Sequence, residues 1–198
     1  MTITGQSPID LRAPLTEIPT DRPSPAYHGM SRARLTREQT TVSVVAEPGG
    51  ILTAGHRPYM LVEIHSHAPA EHTLRGERAD LETHLVHKAT DGRIAVIGLL
   101  FDAAAASHPI DAFITPPVAG SSLDLPEPVR LNELIPRDAN RFVYSGSLTT
   151  PPYTEDVQWV VYDAVQSVGQ VALAAFVDAF GPTSRERQPL GDRHIELV

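Results

Sequence analysis

With 198 residues, no cysteine and a formal net charge of −8, the chain has material for one well-buried domain and too little for two comfortable ones. The missing thiols exclude a disulfide framework, a thiolate metal site and a cysteine nucleophile, and fit a reducing compartment. The negative balance excludes the basic face that nucleic-acid phosphates require. It is spread along the chain and reads as a solubilising surface. Met1 to Pro8 contain neither a basic nor an apolar signal region, and no apolar run reaches membrane-spanning length. A cytoplasmic protein with no membrane partner is expected, unless the chain is a trimmed mature form.

Residues 1–40 are rich in Pro, Thr and Arg with little periodicity, and are expected as an extended N-terminal arm and loops, with short strands at most. Thr41 to Ala46 is β-branched and strand-like. Glu47-Pro48-Gly49-Gly50 is a turn signal, a short strand follows at Ile51 to Thr53, and Ala54-Gly55-His56 turns into a strand from Tyr59 to His67. Pro69 ends that strand, and Gly76 marks a turn before a second strand at Leu81 to His87. Asp91-Gly92 signals a hairpin. The nearly unbroken apolar run from Arg93 to Phe101 implies burial on both faces.

Residues 102–140 read as loop with one short element around Pro109 to Ile114. Strands are expected at Phe142 to Ser147 and Val157 to Asp163. Ser167 and Gln170 form a capping box for one helix, whose apolar stripe is Val168, Val171, Leu173, Phe176, Val177 and Phe180, and Gly181-Pro182 stops it. The tail is irregular and charged until Ile195 to Val198. Many strands, one good helix and long loops make a mainly β, single-domain chain over 1–198.

Chemistry concentrates on the two central strands. Side chains two apart share a face of a strand, so Glu63, His65 and His67 point one way, as do Glu82, His84 and Val86. Paired side by side, the strands bring three imidazoles and two carboxylates to one point. Three neutral histidines with an open fourth position suit a catalytic zinc, with carboxylates behind the ligands. By alternation His87 lies on the opposite face from His84 and reads as a hydrogen-bonded structural residue. His72, in a turn after Glu71, reads as structural too. His28, His56, His108 and His194 read as ordinary loop residues. A rival remains open at this point: His65-Ser66-His67 with Glu71 fits the first half of a cupin metal motif, but no second cupin motif follows downstream.

The run from Val62 to His87 strongly resembles the α-class carbonic anhydrases. So do Gly5-Gln6-Ser7-Pro8-Ile9-Asp10, Asp91 to Gly98, Tyr144 to Pro152, Trp159 and Gln188-Pro189-Leu190, in order along essentially the whole chain. The resemblance implies a central, mostly antiparallel twisted sheet of about ten strands with few short peripheral helices and a conical cleft floored by Zn2+. It implies reversible hydration of carbon dioxide to bicarbonate and a proton by zinc-bound hydroxide. It makes His65, His67 and His84 the zinc ligands and Glu82 the acceptor of the free ring N–H of His84. Thr149 would accept from the hydroxide and donate to Glu71, and its backbone N–H would bind a substrate oxygen or an inhibitory anion. Val86, Val96, Leu148, Val157 and Trp159 would form the apolar wall of the substrate pocket. Partners implied are carbon dioxide and bicarbonate, with inhibitory anions or sulfonamides.

Three departures from the family pattern stand out. Thr40 falls where efficient members carry a proton-shuttling histidine, and threonine does not ionise near neutral pH. Glu63 and Ser66 replace a glutamine and a phenylalanine. A carboxylate at 63 would strengthen His65 as a donor and make zinc less electrophilic, or serve as a local proton acceptor, or bind a cationic or hydroxylated substrate group; Ser66, facing away from the metal, is expected to affect packing only. The chain is also short before Gln6, has reduced loops over 102–120, and carries Tyr153 where many secreted bacterial relatives have a cysteine. Two alternatives to hydration follow from these changes: a related zinc enzyme acting on another carbonyl or ester substrate, and a non-catalytic binding protein.

Overall fold

A computed structural model describes residues 5–12 and 22–198; parts of the arm expected over 1–40 lie outside the described residues. In chain order the strands are β1 (Asp10–Leu11), β2 (Ser24–Ala26), β3 (Arg32–Arg37), β4 (Val42–Glu47), β5 (Ile51–Ala54), β6 (Arg57–His67), β7 (Thr73–Leu74), β8 (Leu81–Lys88) and β9 (Ile94–Ala104). The short helix α1 (Asp111–Ile114), β10 (Ser122–Asp124), β11 (Arg141–Ser147), β12 (Glu155–Gly169), α2 (Gln170–Phe180) and β13 (Glu196–Leu197) complete the order. Eleven strands form one sheet along the path β10-β3-β4-β6-β8-β9-β12-β11-β13, with β2 and β5 attached beside β6. Every neighbouring pair in it is antiparallel except β9 with β12. The mainly β expectation holds, with one strand more than expected and a separate parallel pair, β1 with β7.

The central strands β8, β9 and β12 are largely buried on both faces because both faces are covered. On one side lie Ile64, Leu85, Ile97 and Val160 with α2 residues Ala172 and Phe176. On the other, Val96, Leu100, Val157, Trp159 and Val161 pack with Ile9, Leu11 and Tyr144. Burying a Leu, Val or Phe side chain is worth roughly 1.5–3 kcal/mol each, so the sheet is anchored through these three strands.

Two expectations about α2 change: Val171 and Val177, placed on its apolar stripe, are exposed, and its start moves. β12 runs on to Gly169, so Ser167 is a strand residue and no capping box forms. The orphan N–H of Gly169 is instead met from another element: Asp111 Oδ1 accepts it at 2.8 Å, while Oδ2 accepts the His108 N–H at 3.0 Å. Continued pairing with β9 extends β12 past the point where local chemistry would start a helix, and Asp111 takes over the capping task. The expected stop holds: Gly181 sits at φ 67° and its N–H bonds the Val177 carbonyl at 2.8 Å.

His87 is fully buried on the face away from His84, with its Nε2 hydrogen-bonded to the Tyr27 hydroxyl at 2.7 Å. Burial pushes its pKa down to about 4. The unfolded chain, with an ordinary imidazole, therefore takes up a proton first as pH falls. Stability present above pH ~6.5 is lost progressively as pH falls to about 4, by up to about 3 kcal/mol.

Two outcomes follow. Replacing Asp111 by Ala should cost about 1–2 kcal/mol in urea unfolding and Asp111→Asn distinctly less, as for other helix caps; equal losses would mean that the carboxylate does not cap α2. His87→Gln should flatten the decline of unfolding free energy between pH ~6.5 and ~4.5; an unchanged slope would show that His87 is not titrating there.

Candidate metal centre

Strand alternation and register assemble the site as the sequence pattern requires. β6 and β8 pair so that His65 faces His84, His67 faces Glu82 and Glu63 faces Val86. An extra residue at Val62 shifts the register between Leu61 and Glu63, which keeps Glu63, His65 and His67 in phase on the cleft face. The three imidazoles lie with ring centroids 5.2, 5.3 and 4.9 Å apart. They offer three nitrogens all within 4.8 Å of one another.

Two of the rings are oriented by a hydrogen bond from their second nitrogen. His67 Nδ1 lies 3.1 Å from the Thr183 carbonyl, so the ring must donate there; Nε2 is buried with no partner among the described residues. His84 Nε2 donates to Glu82 Oε1 at 3.0 Å, which frees Nδ1. His65 Nδ1 lies 3.4 Å from Glu63 Oε1 without forming a hydrogen bond among the described residues, so its tautomer is not fixed in the same way. The donors freed by these bonds are therefore His67 Nε2 and His84 Nδ1. Burial and mutual repulsion push His67 well below the ordinary imidazole pKa, and burial also lowers His65. For His84 burial acts the same way, but the Glu82 carboxylate outweighs it and the pKa is raised. Three clustered imidazoles beside an ionised carboxylate fit a divalent cation such as zinc, whose binding would also displace a proton from His84.

Glu82 is the hub behind the ligands. Its fully buried carboxylate accepts His84 Nε2, His72 Nδ1 at 2.7 Å, and the backbone N–H groups of Glu71 and His72 at 2.8 and 2.7 Å. Burial alone would raise its pKa, but His72 and His84 hold it well below the carboxylate range. Gly98, opposite His84 on β9, makes room for it: a Cβ there would sit 3.0 Å from Glu82 Oε1.

His72 is structural, as expected, but its place in a buried chain was not legible. Its Nε2 bonds the Tyr144 hydroxyl at 2.6 Å, and that hydroxyl meets Ser7 Oγ at 2.7 Å. His72, Glu82 and His84 also form a compact three-residue group. Both His72 nitrogens and three other donors on Glu82 already have partners there, so the group is a hydrogen-bond network. The unpartnered nitrogen of His67 favours the centre among His65, His67 and His84.

Glu71 is fully buried. Its Oε1 accepts the Arg185 backbone N–H at 2.7 Å, and Oε2 has no hydrogen-bond partner among the described residues. That free oxygen lies 3.8 Å from His84 Nε2. Burial raises the Glu71 pKa, against the lowering pull of His84, the Arg185 N–H and the Thr149 side chain. Thr149 is likewise buried. Val96, Val157 and Trp159 are buried in one apolar cluster with Val86 and Leu148 packed against it, and the Trp159 ring lies 4.9 Å from that of His84. Thr40 is exposed at the tip of the β3–β4 hairpin. Glu63 is 40% exposed at the cleft and held below the ordinary carboxylate range by His65, with Ser43 adding a hydrogen bond.

One expectation about the departures needs correcting. Ser66 is more than a packing change: its hydroxyl is 2.8 Å from Thr83 Oγ1, a buried polar pair across β6 and β8. The Thr41 hydroxyl also donates to the Ser66 carbonyl at 2.8 Å.

Comparison with known proteins identifies the family. Residues 2–196 match the family described as eukaryotic-type carbonic anhydrase. A carbonic anhydrase of Nostoc sp. is 33% identical over 78% of the chain, which spans 60% of that relative's length. One of Pectobacterium carotovorum is 30% identical over 96% of the chain and 79% of its own length. The solved α-carbonic anhydrase of Thermovibrio ammonificans, in complex with the inhibitor sulfanilamide, superposes with a TM-score of 0.89 at 28% identity, covering 98% of this chain and 87% of its own. These matches exclude the cupin alternative, and the chain belongs to the α-class carbonic anhydrase family.

Proposed function

We propose that the chain is a zinc-dependent carbonic anhydrase, catalysing reversible hydration of carbon dioxide to bicarbonate and a proton. The observation that carries this is the set of three clustered imidazoles, with the second nitrogen of His67 committed to the Thr183 carbonyl and that of His84 to Glu82. Family membership adds weight to it. His65 and His67 through Nε2, and His84 through Nδ1, would hold the ion. Bound there, zinc supplies a Lewis acid that acidifies a coordinated water, the property for which carbonic anhydrase is the standard case.

The protein's own groups do the rest. The clustered side chains of Val86, Val96, Leu148, Val157 and Trp159 offer an apolar wall that admits carbon dioxide and strengthens nearby electrostatics by excluding water. Thr149 would donate its hydroxyl proton to Glu71 Oε2, the oxygen with no partner among the described residues, so that its lone pairs face the reacting position, and its backbone N–H would be a donor for a substrate oxygen or an inhibitory anion such as a deprotonated sulfonamide. Glu71 accepts because the Arg185 N–H fixes its other oxygen. At Thr40 no group ionises near neutral pH, so the released proton must pass to buffer.

Glu63 supports a second reading. A half-exposed carboxylate beside His65 could recognise a hydroxylated or cationic group on a different carbonyl or ester substrate, and a binding protein without turnover would need none of the Thr149 and Glu71 arrangement.

Stopped-flow hydration decides between these readings. The expected result is a rate that disappears on chelation, returns with zinc, and rises with added imidazole. A zinc-loaded protein with no hydration in any proton-carrying buffer would overturn the proposal. Glu63→Gln removes a negative charge near the centre and should lower the pH midpoint of hydration by about 0.5–1 unit. Unchanged hydration together with loss of an ester-hydrolysing activity would instead mark Glu63 as a substrate-recognition residue.

A further inference from the structure

Two segments far apart in sequence must be held together for Thr149 to meet Glu71, and one residue touches both. Thr149 begins a tight loop closed by the Leu148 N–H on the Thr154 carbonyl at 2.8 Å and the Tyr153 N–H on the Thr150 carbonyl at 2.9 Å. Tyr153 turns that loop at φ 59°, a left-handed conformation that costs a non-glycine residue energy and persists only where its surroundings enforce it. The Arg185 guanidinium lies 3.8 Å from the centre of the Tyr153 ring, and its Nη1 donates to the Ser7 carbonyl at 2.7 Å. From the opposite side Gln6 Nε2 donates to the Tyr153 carbonyl at 3.3 Å and to Glu155 at 2.9 Å. The same Arg185 donates its backbone N–H to Glu71 at 2.7 Å.

We propose that Arg185 and Tyr153 are positioning residues. Their stack locks the Thr149 loop to the 183–187 segment, so that one residue fixes Glu71 through its backbone and the Thr149 loop through its side chain. The inference rests on the hydration reading for its catalytic consequence and on geometry alone for the mechanical one. Neither side chain points to a reacting atom in its contacts; they act through Thr149 and Glu71. The planar guanidinium is what matters, since it stacks on a ring face while still donating in its plane, and an ammonium cannot do both.

The test uses the zinc-loaded full chain with Arg185→Ala, Arg185→Lys, Tyr153→Leu, Tyr153→Phe and the Arg185→Ala/Tyr153→Leu double variant. Hydration per bound zinc is measured alongside amide hydrogen exchange of the 148–154 and 183–187 segments. Arg185→Ala, Arg185→Lys and Tyr153→Leu should each lower kcat per zinc about tenfold at unchanged zinc content. The double variant should fall no further than the worse single one, and Tyr153→Phe should stay within twofold of the native chain. Exchange should be reciprocal: Tyr153→Leu accelerates it in 183–187, and Arg185→Ala accelerates it in 148–154. Independent, multiplying losses, or exchange confined to the segment mutated, would overturn the proposal. If the native chain hydrates no carbon dioxide, the hydration reading fails while reciprocal exchange still decides the coupling.

Discussion

The buried Glu82 carboxylate is the interaction on which the rest of the site depends. An ionised carboxylate fully removed from water is costly unless its lone pairs are all met, and here four donors converge on it. Each donor has a structural consequence. The two backbone N–H groups fix the turn that carries Glu71 and His72. The His72 ring carries the contact on to Tyr144 and Ser7, tying the turn to β11 and the N-terminal segment. The His84 ring is turned so that Nδ1 faces His65 and His67. Removing the carboxylate would free a ligand, loosen the turn and leave the His72 ring without an acceptor at once.

The sheet makes this burial possible. Glu82 lies on β8 between β6 and β9, and the close approach of β9 at Gly98 leaves space for the carboxylate without leaving it room to move. Trp159 and Tyr144 close the other side with stacked rings 6.3 Å apart, and Trp159 is itself fixed by its Nε1–H on the Ser147 carbonyl at 2.9 Å. A Cβ at Gly146 would come within 2.1 Å of Ser7 Oγ, so the Tyr144–Ser7 contact also depends on a missing side chain. Rigid strands thus place the ligands, while the loops at 148–154 and 183–187 bring Thr149 and the Arg185 N–H to the opening.

Much of this was legible in the residues because a strand has a period of two. Glu63, His65, His67, Glu82, His84 and Val86 could be placed on one face, and His87 on the other, with no knowledge of the fold. The remaining site residues were out of reach for a physical reason: contacts of Thr183, Arg185 and Tyr144 with residues 65–84 join segments whose sequence separation leaves no local signal. The same limit explains the misplaced helix start. Ser167 and Gln170 have the right local chemistry for a cap, but long-range pairing of β12 with β9 decides the boundary, and Asp111 supplies the missing acceptor from another element. Ser66 shows the converse: its outward direction followed from alternation, but its hydrogen bond to Thr83 required the cross-strand register.

The chain combines a complete ligand set with changes around it. Glu63 adds a carboxylate beside His65, and Arg185 on Tyr153 fastens the loop that carries Thr149. All of this has meaning only if the ion sits among His65, His67 and His84. Anomalous diffraction at the zinc edge from crystals of the zinc-loaded chain tests that most directly. The account predicts one peak within bonding distance of His65 Nε2, His67 Nε2 and His84 Nδ1, with Glu82 still bonded to His72. No peak there, or one centred among His72, Glu82 and His84, would contradict it.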